Sequence, residues 1–180
     1  MKNKFGIFIF QCFTQEQVKE INKEIKKNIF HKESQTDAAQ NVSKIGNFFH
    51  IPCSPLTELL HPWLYHCQHT NKVEFGYDIY WDFHLDFLNY NVYGVKDEYG
   101  WHVDSISDNL LIDMKLTCLL NLSEETYEGG EFCSINSDEK ILFNSGEGMV
   151  LNSLIAHKVT PVTKGERITL TYWATGPTWR

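Results

Sequence analysis

The sequence predicts an α+β domain that is mainly β, a double-stranded β-helix (jelly roll) core with supporting helices at its N-terminal side. Three observations predict it. Two helical patterns occupy the first part of the chain, roughly residues 14–72. Beyond about Val73, short runs rich in Val, Ile, Thr, Tyr and Phe follow one another, separated by Gly, Asn, Asp and Ser, over roughly residues 77–176. Aromatic residues reach 14% of the 180, a share that suits half-buried strands. No repeat, low-complexity tract or linker divides the chain, so residues 1–180 read as one domain.

The elements follow in order. Phe5 to Phe13 reads as a strand. Thr14 is a helix N-cap, and Gln17 three residues on completes a capping box. Val18, Ile21, Ile25 and Ile29 recur at helical spacing, which carries this helix to about Phe30. Ser34 to Gln40 is polar and reads as a loop, and Lys44 to Ile51 as a short strand. Ser54-Pro55 starts a second helix whose buried stripe is Leu56, Leu59, Leu60, Trp63, Leu64 and Cys67. Pro62 falls inside it and is expected to kink or restart it. The expected strands are then Tyr77–Trp81, Phe87–Tyr93, Tyr99–Val103, Lys115–Leu122, Glu131–Ile135, Ile141–Phe143, Met149–Asn152, His157–Val162 and Arg167–Ala174.

Composition excludes several classes. The formal net charge is −7, and the lysines between Lys19 and Lys32 are interleaved with Glu20, Glu24 and Glu33, the pattern of a solvated helix face. Nucleic acid is not the expected partner. The five cysteines are odd in number and none are spaced C-x-x-C, so neither a disulfide framework nor a thiolate zinc site is expected. Reduced, packed cysteines point to a reducing, cytoplasmic compartment. The apolar stretch Phe5 to Phe10 is too short to span a membrane and has no small-residue cleavage site before Thr14, so no membrane segment or signal peptide is expected. Nothing in the chain sets an oligomeric state.

One constellation carries chemistry. Side chains two apart on a strand share a face, so His102 and Asp104 can reach one metal ion while Val103 points away. His157, much later, completes two histidines and a carboxylate, a set that fills one face of an octahedral metal and leaves three positions open. His84-Leu85-Asp86 has the same H-x-D spacing, and context has to separate the two. His61, His66 and His69 lie imperfectly on one helix face and read as surface histidines. On the last strand, Arg167, Thr169, Thr171 and Trp173 alternate with Ile168, Leu170 and Tyr172. Turned inward, the Arg167 fork can hold a carboxylate by two hydrogen bonds, with Thr169 adding a hydroxyl.

Several stretches resemble one family. Tyr93-Gly94, Tyr99 and His102-Val103-Asp104 resemble the signature of the prolyl-4-hydroxylase-like 2-oxoglutarate oxygenases. Lys115 to Ser123 looks like their next core strand, and Tyr127-Glu128-Gly129-Gly130-Glu131-Phe132 like their E-G-G-E segment. The run from His157 through Pro161 to Arg167 is similar to their H-x-V-x-P-V-x-x-G-x-R, especially in the bacterial and phage branch. His84 lacks this context. The resemblance implies Fe(II) on His102, Asp104 and His157, and 2-oxoglutarate as co-substrate with its far carboxylate on Arg167. It also implies Tyr93 and Thr169 near the co-substrate, dioxygen as oxidant and ascorbate as reductant. The products would be a hydroxylated substrate, succinate and carbon dioxide. Some prolyl hydroxylases carry a tyrosine near the co-substrate where this chain has Asn121. The implied substrate is a prolyl residue in a protein or peptide, with Trp101, Trp173 and Tyr99 as candidate walls, the loop Gly94 to Glu98 as a groove border and Ser105 to Asp113 as a cover. A free amino-acid substrate and a non-catalytic jelly-roll module are the alternatives. A nucleic-acid demethylase fits poorly, since Trp173 follows the anchoring arginine and the next arginine is Arg180.

Overall fold

The computed structural model describes residues 1–32, 36–37, 42–81, 87–104 and 111–179. The decoy His84 and Asp86, Arg180, and most of the loops expected at Ser34–Gln40 and Ser105–Asp113 lie outside the described residues.

The chain opens with a hairpin, β1 (Lys2–Lys4) and β2 (Ile7–Gln11), turned through Phe5 and Gly6. Both turn residues have positive φ, as a two-residue hairpin of this hand requires. Helix α1 (Gln15–Asn28) then starts at the expected cap: Thr14 accepts from the Gln17 backbone, and the Gln17 side chain accepts from the Thr14 backbone. Its buried face is Val18, Ile21 and Ile25, joined by Asn22, which donates to the Leu122 carbonyl at 2.8 Å and accepts from Tyr90 at 3.0 Å. These bonds anchor the helix to the sheet by a polar pin as well as an apolar stripe.

Strands β3 (His31–Lys32), β4 (Thr36–Asp37), β5 (Val42–Ile45) and β6 (Asn47–Pro52) follow. The single strand expected at Lys44–Ile51 is thus two strands in two different sheets. They divide at Gly46, where φ is +155° and a Cβ would meet the Phe48 ring at 2.9 Å. Helix α2 (Thr57–Thr70) follows a short 3-10 turn at Ser54–Leu56. Pro62 neither breaks nor restarts it. Its ring is exposed, and Leu60, Trp63 and Leu64 beside it are buried, so packing offsets the one lost backbone bond. A π turn at Asn71–Phe75 ends it at Gly76. No helix among the described residues is long and apolar enough to cross a membrane.

The remaining strands are β7 (Phe87–Tyr93), β8 (Glu98–His102), β9 (Ile112–Asn121), β10 (Glu128–Gly129), β11 (Phe132–Ser134), β12 (Ser137–Ile141), β13 (Glu147–Asn152), β14 (His157–Val159), β15 (Val162–Lys164) and β16 (Arg167–Pro177). Three expectations need correction. Tyr77–Trp81 is not a strand: Tyr77 and Trp81 pack on the core, Tyr80 is exposed, and the Tyr80 N–H makes one backbone bond to Thr175 O. The strand expected at Ile141–Phe143 lies earlier, at Ser137–Ile141. The run His157–Val162 is broken at Thr160-Pro161, where proline has no N–H to give, and its second part pairs with β10.

All strand pairs among the described residues are antiparallel. The large sheet has the order β1-β2-β13-β9-β16-β7-β6-β3, the smaller β12-β11-β14-β8-β5-β4. The predicted mainly-β jelly roll is the observed architecture. Alternation divides the large sheet into two faces. Leu116, Cys118, Leu120, Ile168, Leu170 and Tyr172 pack under Val18, Ile21, Ile25, Leu60, Trp63 and Leu64 of the helices. The opposite face meets the smaller sheet, with Ile7, Ile9, Leu119, Phe132, Met149 and Leu151 as a second core. Side chains of β9 and β16 that face away from the helices therefore point between the sheets.

Candidate metal centre and anion pocket

His102 and His157 are cross-strand partners on β8 and β14, and Asp104 stands two residues beyond the end of β8. Their ligand atoms lie within 4.8 Å of one another, the one group of three or more such side chains among the described residues. Each histidine Nε2 is 3.6 Å from a different Asp104 oxygen. Each Nδ1 faces a backbone carbonyl, Gly100 at 2.8 Å and Ile155 at 2.9 Å. A carbonyl only accepts, so Nδ1 carries the proton and Nε2 turns its basic lone pair toward Asp104. Two imidazole lone pairs and a carboxylate converging in a buried place form a donor set that fits a divalent transition metal.

What aims these groups goes beyond alternation. β8 ends at His102, so the strand does not place Asp104. Its N–H donates to Ser153 O at 3.0 Å, and Thr117 Oγ1 donates to Asp104 Oδ2 at 2.6 Å, with Ser153 Oγ 3.2 Å behind it. In the β8–β14 pair, His157 faces His102 and Val159 faces Tyr99, so three steps on one strand match two on the other. This bulge puts Tyr99 and His102 on one side, where their rings stack at 3.6 Å. Trp101 becomes the outward residue, 46% exposed beneath the Lys158 ammonium, and takes no part in the cavity wall. Phe132 stacks on His157 from the other side.

Arg167, Thr169, Thr171 and Trp173 all line the cavity that holds the triad, as their alternation on β16 predicts. Arg167 is 2% exposed and, among the described residues, has no carboxylate partner. Its Nη1 donates to Thr169 at 3.4 Å, the Tyr93 ring lies 5.4 Å from its Cζ, and its Nε has no acceptor. Burying a guanidinium without a counter-ion costs several kcal/mol, so the site is built for an anion. Gly130 makes room for it: a Cβ there would meet Arg167 Cδ at 2.9 Å, which accounts for the second glycine of the E-G-G-E segment.

Other expected site residues are placed differently. Asn121 lies outside the triad cavity, with its carboxamide donating to Phe143 O and accepting from Ser123 N. The loop Gly94 to Glu98 is fastened to Val162 by backbone bonds from both directions and follows Tyr93, the cross-strand partner of Arg167. Sequence reasoning missed Thr117, Ser153 and the buried Lys44. For Thr117 the readable signal was limited to its side: on the expected strand it alternates with Leu116 and Cys118, which face the helices. The triad cavity is small, about 40 Å³, and a second of about 610 Å³ shares Arg167 and Phe132 as walls.

A jelly roll with two histidines, a carboxylate and a buried arginine between its sheets is the scaffold of a mononuclear metal centre with an anion subsite. The comparisons say which. Residues 88–175, just under half of the chain, match the family model of the 2OG-Fe(II) oxygenase superfamily. A PKHD-type hydroxylase of Alteromonas mediterranea is 38% identical over 93 residues, 47% of this chain and 41% of the relative. Another, from Janthinobacterium, is 35% identical over 92 residues, again 47% of this chain and 41% of the relative. The chain thus spans less than half the length of these curated relatives. A viral collagen prolyl hydroxylase from Paramecium Bursaria Chlorella virus-1, solved with 2-oxoglutarate, superposes with a TM-score of 0.72 at 12% identity, over 95% of this chain and 96% of that one. A Pseudomonas putida prolyl-4-hydroxylase gives 0.68 at 16%, over 96% and 94%. At these identities the likeness is one of fold.

Proposed function

We propose that this chain is an Fe(II)- and 2-oxoglutarate-dependent dioxygenase acting on a prolyl residue in a protein or peptide. His102, Asp104 and His157 hold the iron; Arg167 and Thr169 hold the distal carboxylate of 2-oxoglutarate, beside Tyr93. The observation that carries the reading is Arg167, a buried cation without a carboxylate partner among the described residues, in the wall of the cavity that holds the triad. A metal centre alone does not call for it; a dicarboxylate bound to that metal does. The protein-or-peptide substrate is supported by the relatives' names, and by Tyr99 and Trp173 as aromatic walls of the cavity.

When bound, iron and 2-oxoglutarate supply the oxidising chemistry: dioxygen is consumed, the 2-oxo acid leaves as succinate and carbon dioxide, and the substrate gains a hydroxyl. The chain supplies position. Gly100 and Ile155 carbonyls hold the histidine tautomers, and Thr117 holds one oxygen of Asp104. Leu119, Phe132 and Val159 add an apolar wall to a cavity otherwise lined largely by polar side chains. Register along β16 orders the site: Arg167 pairs with Tyr93 at one end, and Trp173 pairs with Thr117, the Asp104 partner, six residues on. The substrate therefore approaches from the Trp173 end and the co-substrate lies toward Arg167.

The test is succinate release by the iron-loaded protein with 2-oxoglutarate and ascorbate, scored against proline-containing peptides and free amino acids, with mass spectrometry for one added oxygen on proline. Failure to bind or consume 2-oxoglutarate would refute the whole reading. Turnover with free amino acids and none with peptides would keep the oxygenase and replace the substrate.

A further inference from the structure

The sheet face that carries the triad cavity continues beyond it. Thr171 lines the cavity and pairs with Asn89 of β7; Asn89 pairs with His50 of β6, and His50 with His31 of β3. Cross-strand partners share a face, so this row runs from the cavity to the edge of the large sheet. Two residues past the Thr171–Asn89 pair, Trp173 and Phe87 follow on the same face, Trp173 in the cavity wall and Phe87 54% exposed. The Phe87 ring centroid lies 5.3 Å from that of Phe30, which is 57% exposed. The Phe30 ring in turn lies 6.2 Å from His50 and 6.5 Å from His31, and the two imidazoles are 5.4 Å apart.

None of these four side chains belongs to a hydrophobic core of the fold. They form a cluster of rings on the surface, continuous with the cavity through Trp173. Aromatic surfaces of this kind take proline-rich segments, whose polyproline II form is already extended and loses little entropy on docking. Such a segment also keeps its carbonyls free as acceptors, and Trp173 Nε1 is buried without an acceptor among the described residues. The reach fits as well. Three strand spacings separate β16 from β3, about 14 Å. At about 3.1 Å per residue, the cluster meets a chain about four or five residues from the one held in the cavity.

We propose that Phe30, His31, His50 and Phe87 form a docking strip for the substrate polypeptide, taking a proline-rich flank in polyproline II form while one of its residues occupies the triad cavity. This rests on the reading of the chain as an oxygenase of prolyl residues. It makes the flank a determinant of specificity: a short peptide reaches the cavity and misses the strip, and a longer proline-rich one engages both.

The experiment measures binding, not turnover. Protein loaded with Mn(II) and 2-oxoglutarate under anaerobic conditions is titrated with three fluorescein-labelled peptides, read by polarisation: triproline, dodecaproline, and triproline extended to the same length with Gly-Ser repeats. Phe30→Ser combined with Phe87→Ser is expected to weaken dodecaproline roughly tenfold, the loss typical of an aromatic contact residue. Triproline, the Gly-Ser peptide and 2-oxoglutarate should bind as before, and the circular dichroism spectrum should not change. If the double variant does not fold, Phe30→Ser alone serves the same comparison. Unchanged dodecaproline binding, or equal losses for dodecaproline and triproline, would overturn the proposal. An equal loss for the Gly-Ser peptide would overturn its polyproline II form. A wild-type dimer in light scattering that the variant dissociates would overturn it too, because the strip would then cover a second copy of the chain. Wild-type protein that failed to bind 2-oxoglutarate would refute the proposed function itself, whereas protein that binds it normally and shows no effect of the variant loses only the docking strip.

Discussion

Thr117→Val removes one hydroxyl and little else, and it tests how Asp104 is held. Thr117 is 1% exposed, and its O–H donates to Asp104 Oδ2 at 2.6 Å. The Asp104 side chain is 8% exposed, so little water replaces the lost donor. Valine fills the same volume and cannot donate. A charge-assisted bond of this kind is worth about 1.5–3 kcal/mol. Part of that is lost from the metal-free protein as well, so metal affinity registers the difference between an oriented and a swinging carboxylate, roughly 10- to 100-fold. Mn(II) titration of wild type and variant measures it, with circular dichroism and the thermal midpoint as checks of fold. Ser153→Ala, one step further back, should cost less. A folded Thr117→Val protein with wild-type Mn(II) affinity would refute the claim that this hydroxyl orients the carboxylate.

Three more outcomes are expected. Arg167→Met should stabilise the protein without ligand, by about 1–4 kcal/mol, because an apolar side chain replaces a buried unpaired charge. It should also abolish the rise in thermal midpoint expected of the wild type with 2-oxoglutarate, and a lower ligand-free midpoint would show that the guanidinium has a partner. Burial pushes the Cys12 thiol up to about 12 and the Cys67 thiol upward as well. Iodoacetamide near pH 8 should therefore spare both in the folded protein and label both after denaturation, as read by peptide mass spectrometry. His66 stacks on Phe10, and burial, then the neighbouring His69, hold its pKa below the ordinary histidine value. The unfolded chain then takes up this proton first. The contribution is present above the ordinary value and is lost as pH falls toward the folded one, so the midpoint-versus-pH curve should flatten in His66→Gln on the acid side of about pH 6.5.

Much of the site was legible because β16 is regular from Arg167 to Trp173: its period of two alone puts Arg167, Thr169, Thr171 and Trp173 on one side, and all four line the cavity. The capping box at Thr14 was legible for the same reason, being local. What stayed hidden depends on partners far away in sequence. Asp104 is aimed by Ser153 and Thr117, and no spacing rule connects those three. Tyr99 reaches His102 through a bulge that only the pairing with β14 reveals. Tyr77–Trp81 reads as a strand because Tyr77, Ile79 and Trp81 serve the core at a period of about two, yet the segment meets the sheet by one backbone bond, Tyr80 to Thr175, beyond the end of the β7–β16 pairing at Thr171. Asn121 held the place of an expected co-substrate contact, and its amide is committed to the backbone and to Tyr127.

The bulge in β8 has a consequence for how this strand tolerates changes in length. Tyr99 and His102 share a side although three residues separate them in number, because Gly100 and Trp101 together oppose Lys158 alone. A regular strand reaches the same arrangement with one residue fewer. Trp101 is therefore surplus to the ladder, exposed and outward, and deleting it should leave Tyr99 stacked on His102 and the triad assembled. Deleting a residue from the regular stretch of β16 would instead turn one end of the inward row to the helices. Within one site, the two walls follow opposite rules for insertion and deletion, and a library of single-residue deletions across both would map the bulge without a structure.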